Sequence, residues 1–156
     1  MRRLAIVILM AALVAPAARA AAQDGGSESG PITAPVDVFK VTGLIDPVLA
    51  NGIDRAIDRA VANGSQALVL QMNSKGAVVS RARMERLAAH IANAAIPVAI
   101  WVGPSGARAT GMAGQLLGAA AATGMAGRTR VGNFGELINP EGVQLQLGVA
   151  GTELKS

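Results

Sequence analysis

Few side chains in this 156-residue sequence could do chemistry by themselves. It has one histidine, His90, and no cysteine, which removes thiolate catalysis, disulfides and thiolate-held metals. His90 stands beside the apolar stripe of a predicted helix, with no Cys, His or carboxylate at ligand spacing. It therefore reads as a helix-face residue, neither a metal ligand nor a triad member. Thr110 opens the uncharged run TGMAGQLLGAAAA. A threonine hydroxyl attacks a carbonyl only when a base adjoins it, and at a helix start its ordinary role is to cap a free N–H. Lys75, in the turn NSKG, could hold an anion but has the setting of a solvated loop lysine. Asp54/Asp58 and Arg55/Arg59 are like-charge pairs four residues apart. Only Arg55 and Asp58 can attract, so these four read as a solvated helix face and not as a catalytic carboxylate pair. Nothing in the sequence calls for a cofactor or a metal.

The elements that would position these residues alternate. Val36 to Val41 reads as a strand ended by Gly43. Asp46-Pro47 then supplies N-cap and first-turn chemistry for a helix whose apolar positions Leu49, Ile53, Ile57 and Val61 recur every four residues. Asn63-Gly64 closes it. Ala67 to Met72 reads as a buried strand, about Ser80 to Ala95 as a helix with Met84, Leu87, Ala88 and Ile91 inward, and Pro97 to Val102 as a third strand. Strand and helix in alternation predict an α/β domain with a mainly parallel sheet covered by helices. The run from Thr110 to Ala122 is too short and too rich in Gly and Ala to span a membrane, and predicts a buried helix. Gly124-Met125-Ala126 suggests a short fourth strand. Beyond Arg130 the pattern supports a loop, with one extended piece at Val143 to Leu147.

The sequence is 51% apolar, enough for one core, with one Trp, two Phe and no Tyr, so the interior must pack by close backbone approach. Met1-Arg2-Arg3, the apolar run Leu4 to Val14 and Ala18-Arg19-Ala20 have the form of a secretory signal peptide over 1–20, which predicts an exported protein, extracytoplasmic or membrane-associated. QDGGSESGPITAP, within 21–35, reads as a flexible linker. Removing Arg2, Arg3 and Arg19 from the 14 basic residues leaves 11 against 10 acidic ones, a net charge of +1 in place of +4. Without a basic stripe or interleaved aromatics, nucleic acid is not an expected partner.

Four blocks, in order, resemble the ClpP-like domain of NfeD-type membrane serine proteases, a bacterial family within the crotonase superfamily. VTGLIDPVLANGIDRAIDRAV, Val41 to Val61, is similar to that family's strand, G-x-I-D-P turn and first helix. ALVLQMNSKGAVVS stands where the family carries L-N-T-P-G-G. IPVAIWVGPSGARATGMAG, Ile96 to Gly114, resembles I-P-V … V-x-P-x-G-A-R-A-A-S-A-G, and TGMAGRTRVGN resembles A-A-M-A-P-G-T-x-I-G. The resemblance implies a ClpP/crotonase-like fold of stacked βαβ units over 36–135, with a poorly defined tail at 136–156 that suggests a truncated chain.

The resemblance also implies a Ser/Lys dyad and an oxyanion hole of backbone amides. Residue by residue, Gly111 falls on the family serine and Thr110 one position before it. Gly76 keeps the oxyanion glycine, while the loop's proline and second glycine are lost. Lys155, the one lysine after the helix, has no claim to be the base. The implied function is a non-proteolytic interaction or scaffold module, a pseudoenzyme at the membrane exterior. The alternatives are a serine-type endopeptidase working through Thr110 and a crotonase-type acyl-CoA enzyme, which export disfavours. A homo-oligomer is expected, with the Gly/Ala-rich helix from Thr110 as the subunit contact, as is a membrane protein or peptide partner.

Overall fold

The computed structural model describes residues 34–147; the signal-peptide segment, the linker up to residue 33 and Lys155 lie outside the described residues. Strand β1 (Val36–Thr42) leads into helix α1 (Pro47–Ala62), β2 (Ala67–Asn73), α2 (Arg81–Ala92) and β3 (Val98–Val102). There follow β4 (Arg108–Thr110), the short helix α3 (Gly111–Gln115), a 3₁₀ turn (Leu116–Ala119), β5 (Ala122–Met125) and β6 (Arg130–Gly132). The main sheet is parallel throughout, in the order β1-β2-β3-β5, and β4 pairs with β6 in a second, two-stranded parallel sheet. The α/β architecture with a parallel sheet is the one the alternation implied. β6, where the sequence supported only a loop, exists because β4 offers it a partner.

Local chemistry sets the helix starts. Asp46 caps α1, its Oδ1 accepting the Leu49 amide at 2.7 Å, and Pro47 occupies the first turn, where its missing N–H costs nothing. Ser80 caps α2 by accepting the Arg83 amide at 3.3 Å. The buried face of α1 is Ala50, Ile53, Ala56, Ile57 and Ala60, whereas Leu49 is half-buried and Val61 exposed. A strict four-residue spacing advances ~40° around the helix at each step, so Leu49 and Val61 diverge by ~120° and cannot share one face. Alanines complete the face instead and let the sheet come close. Met84, Leu87, Ala88 and Ile91 of α2 are buried as expected, and Leu68, Leu70, Met72, Val98, Ile100 and Val102 meet them from the sheet. Each such fully buried aliphatic chain contributes about 1.5–3 kcal/mol.

The helices cover one face of the sheet. Strand registers place Val36, Val38, Lys40 and Thr42 of β1 on the other face with Val69, Ala99 and Trp101, and this face stays partly open: Val36 is 51% and Val38 61% exposed. Among the described residues the helical cover expected of the sheet is therefore found on one face.

The run from Thr110 to Ala122 is not one helix. It divides into the end of β4, the five-residue α3, the 3₁₀ turn and the start of β5. Three glycines weaken it as a helix, and tertiary contact does the rest. A Cβ on Gly114 would lie 2.6 Å from the Ala109 carbonyl oxygen, and one on Gly118 would lie 3.0 Å from the Leu147 side chain. Ala113 to Ala119 are buried inside the domain, so these seven residues do not supply the subunit contact expected of this segment. Val143 to Leu147 forms no strand; it lies over the 3₁₀ turn, with the Gln146 amide donating to the Gly118 carbonyl at 3.0 Å.

Candidate functional site

The loops leaving the carboxyl ends of β1, β2 and β3 run on beside one another. The Ile45 amide donates to the Gly76 carbonyl at 3.0 Å, and the Val78 amide donates to the Ile45 carbonyl at 2.9 Å. On the other side of the β2 loop, the Ser74 amide donates to the Arg108 carbonyl at 2.6 Å and the Thr110 amide to the Ser74 carbonyl at 3.1 Å. The second loop is thus held between the first and β4. Ligands of open parallel α/β sheets bind at this end of the strands.

Gly111 sits where β4 turns into α3, with φ +60°, a left-handed conformation natural to glycine. Its amide donates to the Asn133 carbonyl at 3.0 Å. A Cβ built there would lie 3.5 Å from the Gly76 Cα and 3.7 Å from the Lys75 carbonyl oxygen, both ordinary van der Waals contacts. The strand-to-helix elbow is the setting in which α/β hydrolases expose a nucleophile, and here it carries none. A side chain at 111 would point at the peptide unit joining Lys75 to Gly76.

That unit shows its carbonyl to Gly111. Its N–H, on Gly76, is directed at the Ser74 hydroxyl oxygen at 3.4 Å, and the same hydroxyl donates to the Gly76 carbonyl at 2.9 Å. An oxyanion hole requires the reverse orientation, with donors aimed at the oxygen that becomes charged. Gly76, at φ +150°, has the backbone freedom to turn over, but in this conformation a carbonyl oxygen occupies the donor's place.

The other singled-out residues are distributed as follows. Thr110 occupies the N-cap position of α3, yet its side chain makes no capping bond, contrary to the expected cap. Its amide is engaged in the ladder to Ser74, which orients the residue as strand and not as cap. Lys75 is exposed. His90 does have carboxylate partners: Nδ1 lies 2.8 Å from Asp54 Oδ1 and Nε2 3.3 Å from Asp58 Oδ1, with Arg83 also paired to Asp54. The expectation of a lone helix-face histidine beside a purely solvated α1 face is corrected. The partners sit on a different helix, so no spacing within α2 could reveal them. Among the described residues no three His, Asp or Glu side chains are placed to hold a metal ion.

The sequence pattern does not single out three structural residues. Ser74 is fully buried and ties down the Gly76 loop, while Asn73 Oδ1 accepts the Arg108 amide at 3.1 Å. Gln115, also fully buried, donates through Nε2 to the Phe134 and Glu136 carbonyls at 2.8 and 2.9 Å, and its Oε1 accepts the Ile138 amide. One amide in an otherwise apolar run was the available signal, since a buried amide side chain requires partners.

This architecture is the ClpP-like α/β fold. Among solved structures it is similar to a lysine-to-alanine variant of the 1510-N membrane-bound stomatin-specific protease in complex with a substrate peptide: 24% identity, 63% of this chain, 44% of that one, TM-score 0.59. A serine-to-alanine variant of the same protease matches at 25% identity over 62% of this chain and 46% of that one, TM-score 0.59. The 1510-N membrane protease specific for a stomatin homolog, from Pyrococcus horikoshii, matches at 25% over 62% and 47%, TM-score 0.57. The chain spans less than half the length of these proteins. No protein-family model and no curated protein matches it. Among the described residues no helix is long and apolar enough to cross a membrane.

Proposed function

We propose that this chain is an exported, NfeD-type ClpP-like domain that binds a peptide or membrane-protein partner without cleaving it. The observation that carries this reading is the empty elbow: glycine stands at 111, facing the Lys75–Gly76 peptide unit at van der Waals distance. Without a side chain there, no acyl intermediate forms, and the carbonyl shown by Lys75 would repel a developing oxyanion. The likeness to a protease in complex with a substrate peptide supports peptide as the ligand class. The test is incubation of the purified chain with casein and with a fluorophosphonate probe. The proposal expects intact casein and no adduct.

A second reading, an endopeptidase using Thr110, draws on the absence of a capping bond from that hydroxyl. A fluorophosphonate adduct mapped to Thr110 by mass spectrometry would establish it and dispose of the first.

A further inference from the structure

A second surface lies along the free edge of β1. Among the described residues the strand pairs with β2 alone, and the Gly43 amide donates to the Asn73 carbonyl. Odd-numbered amides of β1 therefore face β2, and those of Val36, Val38, Lys40 and Thr42 face outward, because backbone groups alternate along a strand. These four residues carry no bulge and no proline, and one charge, on Lys40. Such an edge is a template for another strand.

Helix α1 runs beside this edge and turns one stripe toward it: Val48, Gly52, Arg55 and Arg59, at spacings of four, three and four. With Phe39, Leu44 and Leu49 they line a cavity of about 410 Å³. Its floor is apolar. Gly52 lets the Phe39 ring lie against the helix, since a Cβ there would be 3.1 Å from the ring's Cζ. Arg55 and Arg59 are both exposed, and among the described residues neither forms an ion pair. The carboxylates nearby are engaged: Asp46 caps α1 and Asp37 accepts the Ser65 hydroxyl at 2.9 Å. The groove thus has an apolar floor, and in its lining the two arginines outnumber the one carboxylate, Asp46.

We propose that this groove docks an extended peptide segment that carries apolar and acidic residues two positions apart on one face, added to the sheet as a strand beside β1. Backbone bonds to the outward amides of Val38 and Lys40 hold the segment. Side chains two residues apart, which share one face, then enter between Phe39 and α1, where the apolar one meets Val48 and Leu44 and a carboxylate meets Arg55 or Arg59. A second copy of this chain paired β1 to β1 fits less well, because it would bring the arginines of two α1 helices toward each other. The surface is separate from Gly111 and does not depend on whether the elbow is catalytic.

The test uses the full chain and the fluorescein-labelled heptapeptide Thr-Val-Thr-Glu-Thr-Glu-Thr, whose valine and glutamates share one face, followed by anisotropy at low salt. Binding should weaken about tenfold when lysine replaces glutamate in the peptide, or in the Arg55→Glu/Arg59→Glu variant, as two exposed ion pairs allow. The Val38→Pro variant removes one outward N–H, a change an edge strand tolerates, and should lose binding while keeping its circular dichroism spectrum. Equal binding of both peptides, or wild-type binding by folded variants, overturns the proposal. So does light scattering that shows a dimer dissociated by Val38→Pro, which would give the edge to a second copy.

Discussion

Restoring a serine at the elbow separates the contributions of side chain, base and oxyanion donor. In Gly111→Ser the residue must adopt φ +60°, which costs an L-residue about 1–2 kcal/mol. The stiffer unfolded chain returns about 0.4–1 kcal/mol of that. Contacts add little, because the new Cβ would rest 3.5 Å from the Gly76 Cα and 3.7 Å from the Lys75 oxygen. The net loss is about 1 kcal/mol, a fall in Tm of about 3–8 °C, readable by calorimetry. Gly111→Ala should fall by the same amount. The hydroxyl alone should not bring labelling: among the described residues no base is hydrogen-bonded at the elbow, and with the oxyanion donor turned away acylation should stay at least about ten-thousandfold below a complete site. The measurement is fluorophosphonate adduct formation by mass spectrometry over hours. Rapid stoichiometric labelling of Gly111→Ser would refute the reasoning, because it would require a base within reach and a turned Lys75–Gly76 unit. A stability loss well above 3 kcal/mol in both variants would instead refute the account of free space at the elbow.

Gln115→Leu keeps the volume but loses three hydrogen bonds and leaves the buried Ile138 amide unpaired, so urea denaturation should show a loss of about 2–4 kcal/mol. Gly114→Ala forces a methyl against the Ala109 carbonyl and the Phe134 ring, for a loss of about 1–3 kcal/mol, with hydrogen exchange rising first around residues 133–138. Asp54→Ala removes the shared partner of Arg83 and His90. For these partly exposed groups the loss should be about 1 kcal/mol, and a double-mutant cycle with His90→Ala should return a non-zero coupling that shrinks in high salt.

What the sequence could determine by itself was local. Asp46-Pro47, the alternating strands and helices and the Asn63-Gly64 end are encoded within a few residues, and they appear in the structure in the expected order, with the end of α2 and the bounds of β5 shifted by one to three residues. The α/β class followed from that order. Tertiary contact alone decided the rest. A glycine at 111 reads the same in any chain; only the fold turns it toward Lys75 and Gly76, residues thirty-five or more positions away. The partners of His90 come from α1, and β6 is a strand only because β4 is beside it. Thr110 to Ala122 has the composition of a buried segment, and residues 113–119 are buried, but its division into strand, helix, turn and strand depends on how closely Ala109, Phe134 and Leu147 approach its glycines. Periodicity reports which face of one element avoids water. It carries no information about which atoms of another element will meet that face, and the orientation of a single peptide unit at the elbow is a fact of that second kind.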